Sequence, residues 1–151
     1  LPYFRILKTS TKIAKGMNLT DYMESLSEEI GGRFSEYDQS NSVIIVPLGD
    51  GRYQTILGNV YFSDLIHDKV IRFSSKVCSY TEDINAQELM MENNFMSYAK
   101  FTLADGFVKI VASIPVVDVD VYDNTILKKM ITEVAQRADA WELKLTGLDV
   151  Y

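Results

Sequence analysis

Apolar and polar positions alternate along this chain with two different periods, and the period decides the element. Between Asn18 and Ile30 the residues Leu19, Tyr22, Met23, Leu26 and Ile30 recur three and four apart, the stripe of an amphipathic helix. Asn18 or Thr20 suits its N-cap, Asp21 and Glu24 suit the positive end of its dipole, and Gly31-Gly32 stops it. The pattern then changes to strands. Arg33–Asp38 reads as a short strand, and Val43–Val46 is a β-branched run closed by Pro47. Gly49-Asp50-Gly51 supplies turn chemistry before a strand over Tyr53–Phe62. Lys69–Val77 follows as a strand of imperfect period two, with Val70, Arg72, Ser74 and Lys76 against Ile71, Phe73, Ser75 and Val77.

Helical spacing returns at Asn85–Asn93, where Ala86, Leu89 and Met90 share a side, although a helix this short depends on packing rather than propensity. A hairpin comes next, Tyr98–Leu103 and Phe107–Ile114 around Ala104-Asp105-Gly106. From Asp123 or Asn124 towards Leu145, Ile126, Leu127, Met130, Ile131, Val134, Ala135, Ala138 and Trp141 repeat at helical spacing. A helix of about 20 residues spans about 30 Å, enough to cross a sheet. Hairpins in succession, rather than alternating strand–helix–strand units, predict an α+β domain: an antiparallel sheet with an N-terminal helix, a short middle helix and a long C-terminal helix.

Composition changes this picture little. The 151 residues, 47% hydrophobic and 24% charged, suit one globular domain over 18–151, preceded by a basic lead-in over 1–17. That lead-in holds Arg5, Lys8, Lys12 and Lys15 without an acid, whereas the whole chain has a net charge of -6. An acidic chain is poorly suited to nucleic acid, and no apolar run is long enough for membrane insertion.

The candidate chemistry is sparse. A single Cys excludes an internal disulfide, and with a single His it excludes a conventional Cys/His zinc site, so no cofactor is expected. Asp118, Asp120 and Asp123 form the densest acidic cluster and offer oxygen ligands to a hard cation, but without the glycine and distal Glu of an EF-hand. A solvated loop ending in an N-cap is the preferred explanation, and the cluster is not a metal motif. His67 lies between Asp64 and Asp68 in a turn, with no Gly-x-Ser-x-Gly elbow to supply a nucleophile. Cys78 ends a strand with no His nearby in sequence, and Gly49-Asp50-Gly51-Arg52 lacks the spacing of a phosphate loop. No catalytic residue is expected. Met90, Met91, Phe95 and Met96 are the more informative cluster. Leu89, Met90 and Phe95 are expected in the core, with at least one of Met90 and Met91 left at a surface or subunit contact.

The run Asn94-Phe95-Met96-Ser97-Tyr98-Ala99-Lys100-Phe101-Thr102-Leu103-Ala104-Asp105-Gly106-Phe107-Val108, then Ala112-Ser113-Ile114-Pro115-Val116 and the long helix bearing Ala138-Asp139, resembles the YbjN-like domains. These share their fold, α-βββ-α-ββ-α, with the class I type III secretion chaperones such as the Tir chaperones. The resemblance implies a non-catalytic, cytoplasmic domain that holds an extended segment of a partner protein. It also implies a homodimer through the short middle helix, placing Leu89, Met90 and Met91 in the dimer contact. The partner surface implied is Val43 to Val46 with Tyr53 and Ile56, with Val43, Ile45, Tyr53 and Ile56 as contact residues. Two other readings remain open: a YbjN-type regulatory module of a larger protein, and a divalent-metal enzyme using Asp118, Asp120 and Asp123.

Overall fold

The computed structural model describes residues 19–38, 41–115 and 124–147. Helix α1 (Leu19–Ile30) is followed by four strands, β1 (Arg33–Asp38), β2 (Asn41–Gly49), β3 (Arg52–Ser63) and β4 (Asp68–Ser79). Helix α2 (Ala86–Glu92) with a 3₁₀ turn (Asn93–Phe95), strands β5 (Ala99–Ala104) and β6 (Phe107–Pro115), and helix α3 (Asn124–Thr146) complete the order. The strands form one antiparallel sheet in the order β1-β2-β3-β4-β6-β5. This is the α+β layout that the periodicity predicts. With Arg33–Asp38 paired to β2, the first sheet segment has one strand more than the layout of the resembled family.

Local chemistry sets the turns. Both two-residue hairpins use Asp-Gly: Asp50 and Gly51 have φ of 53° and 73°, and Asp105 and Gly106 have φ of 55° and 79°. Positive φ at both central positions matches the twist of the flanking strands, and Asp and Gly tolerate it best. At the end of α1, the Gly32 N–H donates to Ser27 O at 2.8 Å, closing the last turn.

The described helices lie on one side of the sheet. Leu127, Met130, Ile131, Val134, Ala135, Ala138 and Trp141 of α3 are buried there, together with Met23 and Leu26 of α1. The strands answer with Ile44 and Val46, Ile56, Ile71 and Phe73, Val108 and Ile110, and Ala99 and Phe101. Phe101 meets Trp141 edge to face at 5.1 Å. Gly58 has a packing reason to be glycine, because a Cβ there would lie 2.5 Å from the Met23 Cε.

The imperfect alternation of β4 is also explained. Ser75 faces the core because Gln54 of β3 faces it too: the Gln54 Nε2 donates to the Ser75 Oγ at 2.8 Å and to the Lys76 carbonyl at 3.1 Å. The Ser75 hydroxyl donates in turn to the Thr55 carbonyl at 2.7 Å. These bonds satisfy the Gln54 amide nitrogen and the Ser75 hydroxyl inside an otherwise apolar layer, where an unpaired polar group costs about 1–3 kcal/mol. A shift of pairing between Lys76 and Cys78 marks a β-bulge, which turns both Val77 and Cys78 inward.

Candidate functional site

The register places one row of side chains across all six strands on the side away from the helices: Ser35, Val43, Leu57, Ser74, Val111 and Lys100. Val43, Leu57 and Val111 make its apolar centre. Arg33, Ile45, Thr55, Tyr53 and Pro47 lie on the same side by the same pairing. So do Asn59, Arg72 and Ser113, then Tyr61 and Val70, and finally Lys76, Lys109 and Thr102. None of the described helices covers this open face.

The cations here lie over aromatic rings. The Arg72 guanidinium sits 4.4 Å from the Tyr61 ring centroid and donates to a Tyr61 hydroxyl 2.8 Å away. The Lys76 ammonium lies 4.1 Å above Phe107, and Arg33 lies 6.0 Å from Tyr53. Lys76 and Lys109 are direct register partners on β4 and β6. Like charges in that position are destabilising. Lys109 is relieved in part by Asp105 at 3.1 Å, an exposed turn residue. Among the described strand side chains on this face the acidic one is Asp68, at the very start of β4. Acids gather instead on α1 and α2, at Glu24, Glu28, Glu29, Glu88 and Glu92, and in the turns, at Asp50, Asp64 and Asp105, whereas the open face is net basic.

Val43, Ile45 and Tyr53, expected from the sequence to contact a partner, come together on this face. Ile56 does not. It pairs with Ile44 and is fully buried beneath the helices, because neighbouring positions of a strand point to opposite sides. Leu57, 38% exposed, takes the place expected for Ile56. Leu57, Tyr61, Arg72 and Phe107 are the residues that sequence reasoning missed. The alternation Tyr53, Thr55, Leu57, Asn59, Tyr61 carried the signal for the two on β3, Leu57 and Tyr61.

At the other end of the sheet, the outer edge of β5 is already bonded at Ala99 and Phe101. The Glu133 carboxylate of α3 accepts from the N–H groups of Ser97, Tyr98 and Ala99 at 3.0, 2.7 and 2.6 Å. The Asn93 Oδ1 accepts from the Phe101 N–H at 2.6 Å. The Lys100 ammonium donates to the carbonyls of Asn93 and Met96, each at 2.9 Å. Partial burial alone would raise the Glu133 pKa, but the three N–H donors and the nearby Arg137 outweigh it and hold the carboxyl below its ordinary range. An open groove of about 640 Å³ runs beside this tether, between Tyr98 and the Lys128, Lys129 and Arg137 side of α3.

On α2, Asn85 caps the helix by accepting from the Glu88 N–H at 3.2 Å. Leu89 is buried against the core, while Met90 and Met91 are 72% and 60% exposed and Phe95 is exposed as well. The expectation that Met90 and Phe95 join Leu89 in the core is corrected: a two-turn helix at the sheet edge directs only one of its apolar residues inward. Leu89 is thus already used by the fold, and a contact between subunits at α2 would fall to Met90, Met91 and Phe95.

His67 is exposed in the β3–β4 turn, next to exposed Leu65 and Ile66. Cys78 is buried, and that burial, reinforced by the Glu142 carboxylate, pushes its thiol pKa up and away from nucleophilic use. Arg52 pairs with Asp139 at 3.1 Å, tying the start of β3 to α3. Asp118, Asp120 and Asp123 lie outside the described residues, and among the described residues no three acidic, His or Cys side chains gather as metal ligands. No helix among the described residues is long and apolar enough to cross a membrane. No protein-family model matches the chain, and no curated protein sequence matches it.

Proposed function

We propose that this chain is a non-catalytic protein-binding domain that holds an extended segment of a partner protein against the open face of its sheet. The observation that carries the reading is that face itself. Its central row sets Val43, Leu57 and Val111 among Ser35, Ser74 and Lys100, with exposed Tyr53 and basic side chains beside it, so apolar residues stand at positions where an antiparallel sheet facing water ordinarily turns polar. The bonded outer N–H groups of Ala99 and Phe101 support the same view, since they leave β5 less edge for main-chain pairing and put the weight of recognition on side chains of the face. The likeness of the Asn94–Val116 run to the YbjN-like domains and secretion chaperones agrees with this assignment. A homodimer through Met90 and Met91 and a cytoplasmic site of action belong to the same proposal.

The test is affinity isolation of the intact protein from its source lysate, identification of what co-purifies, and hydrogen exchange on the complex. Protection of backbone amides over β2 and β3, with one partner segment shielded from protease, is the expected result. Protection confined to the helices would overturn the assignment. Recovery of the protein alone would shift the reading to a regulatory module of the YbjN type.

A further inference from the structure

We infer that the segment taken by the open face is acidic and carries aliphatic or aromatic side chains, and that it crosses the strands from Arg33 on β1 to Lys109 on β6. This rests on the binding reading above and adds the chemistry of the occupant. Charge complementarity is the first support. In a chain of net charge -6, the face bears Arg33, Arg72, Lys76 and Lys109 around an apolar row of Val43, Leu57 and Val111.

The second support is independent of net charge. Lys76 and Lys109 stand directly opposite each other on paired strands, a placement that costs stability, is offset only in part by exposed Asp105 at Lys109, and is further relieved when a second carboxylate lies between them. Geometry is the third. From β1 to β6 is four strand spacings, about 19 Å, which about six extended residues span. A short segment can therefore place carboxylates at both ends of the row and apolar side chains over Val43, Leu57 and Val111.

The chain's own residues 1–16 are unsuited to this place, because Arg5, Lys8, Lys12 and Lys15 carry the same sign as the face. Nucleic acid fits less well than polypeptide. Two of the aromatic rings that could stack on bases, Tyr61 and Phe107, already hold Arg72 and Lys76 over them. Val43, Leu57 and Val111 along the central row offer a base nothing to stack on, and a chain of net charge -6 repels a polyanion at longer range.

The experiment is fluorescence anisotropy with three labelled peptides that share one spacing of Leu and Phe and carry Glu, Gln or Lys between them. A labelled single-stranded DNA oligonucleotide is run alongside. The Glu peptide is expected to bind about tenfold tighter than the Gln peptide, and the margin should shrink as salt rises from about 0.05 to about 0.5 M. Lys76→Glu should weaken the Glu peptide about tenfold and Lys76→Gln by less, with neither lowering the thermal midpoint. Equal binding of the Glu and Gln peptides would overturn the acidic assignment and leave the peptide-binding reading standing. Tighter binding of the oligonucleotide would overturn it in favour of nucleic acid. Self-association lost in Lys76→Glu would overturn it in favour of a second copy. If no peptide binds, the inference fails, and exchange protection over β2 and β3 in the isolated complex decides whether the broader reading fails with it.

Discussion

The two faces of one sheet are built from neighbouring residues and have opposite characters. Ile56 and Leu57 are adjacent on β3, yet Ile56 is sealed under the helices and Leu57 lies on the open row with Val43 and Val111. The covered face is apolar and tightly filled, to the point that Met23 occupies the space a side chain at position 58 would need. The open face mixes aliphatic residues with aromatic–cation pairs and retains two lysines opposite each other. Its residues are not arranged for the greatest stability of the free chain. The comparison separates what folds this protein from what is left to meet a partner.

The sharpest way to break the comparison is to truncate those two neighbours. Ile56→Ala should cost about 2–5 kcal/mol in chemical denaturation, the range for a buried aliphatic residue that leaves a cavity. Leu57→Ala should cost less than about 1 kcal/mol and weaken partner binding instead. Equal costs at the two positions would show that the open face is packed against something.

Glu133→Gln comes next. It keeps the shape but replaces a charged acceptor of three N–H groups, and should cost about 1 kcal/mol at neutral pH after allowance for solvent exposure. The pH dependence has a definite sign. The folded-state pKa of Glu133 lies below its unfolded value, so the carboxylate stabilises the fold above the unfolded pKa. That stability is lost as pH falls from the unfolded pKa through the lower folded one, on the acid side of the ordinary glutamate range. The variant should show a shallower acid limb in urea denaturation followed against pH, and an unchanged limb would remove Glu133 from that role.

A smaller effect of opposite direction is expected on the open face. Lys76→Glu converts a like-charge pair with Lys109 into an opposite-charge one and should stabilise the free protein by about 0.5 kcal/mol, read as a modest rise in thermal midpoint. A gain in stability accompanied by a loss of binding would sharpen the contrast between the faces. The smallest change in monomer stability is expected for Met90→Glu combined with Met91→Glu, within about 0.5 kcal/mol, since both side chains are exposed. Light scattering at micromolar concentration should nevertheless show a dimer becoming a monomer, because charges would be desolvated in the contact. An unchanged mass would move any dimer seam away from α2.

Much of the fold was legible because it is local. The stripe through Leu127, Met130, Ile131 and Val134 announces the long helix, and the Asp-Gly dipeptides at 50–51 and 105–106 announce two hairpins, without knowledge of anything distant in sequence. The candidate site was half legible. Val43, Ile45 and Tyr53 were found, but on β3 both alternating sets contain large apolar residues, Tyr53, Leu57 and Tyr61 against Ile56 and Val60. Hydrophobicity alone does not rank them.

Gln54 and Gly58 make the inward set look like the outward one. Both are explained only by distant partners, Ser75 and the Lys76 carbonyl on β4 for Gln54 and Met23 on α1 for Gly58. The tether of Glu133 to the Ser97–Ala99 backbone spans more than 30 residues and has no local signature. By itself, then, the sequence determined which segments become helices, strands and turns, because period, capping and turn preference act within a few residues. The tertiary structure decided which side of β3 is buried, which methionines stay outside and where the positive charge collects. Those choices depend on register and on side chains brought together from distant parts of the chain.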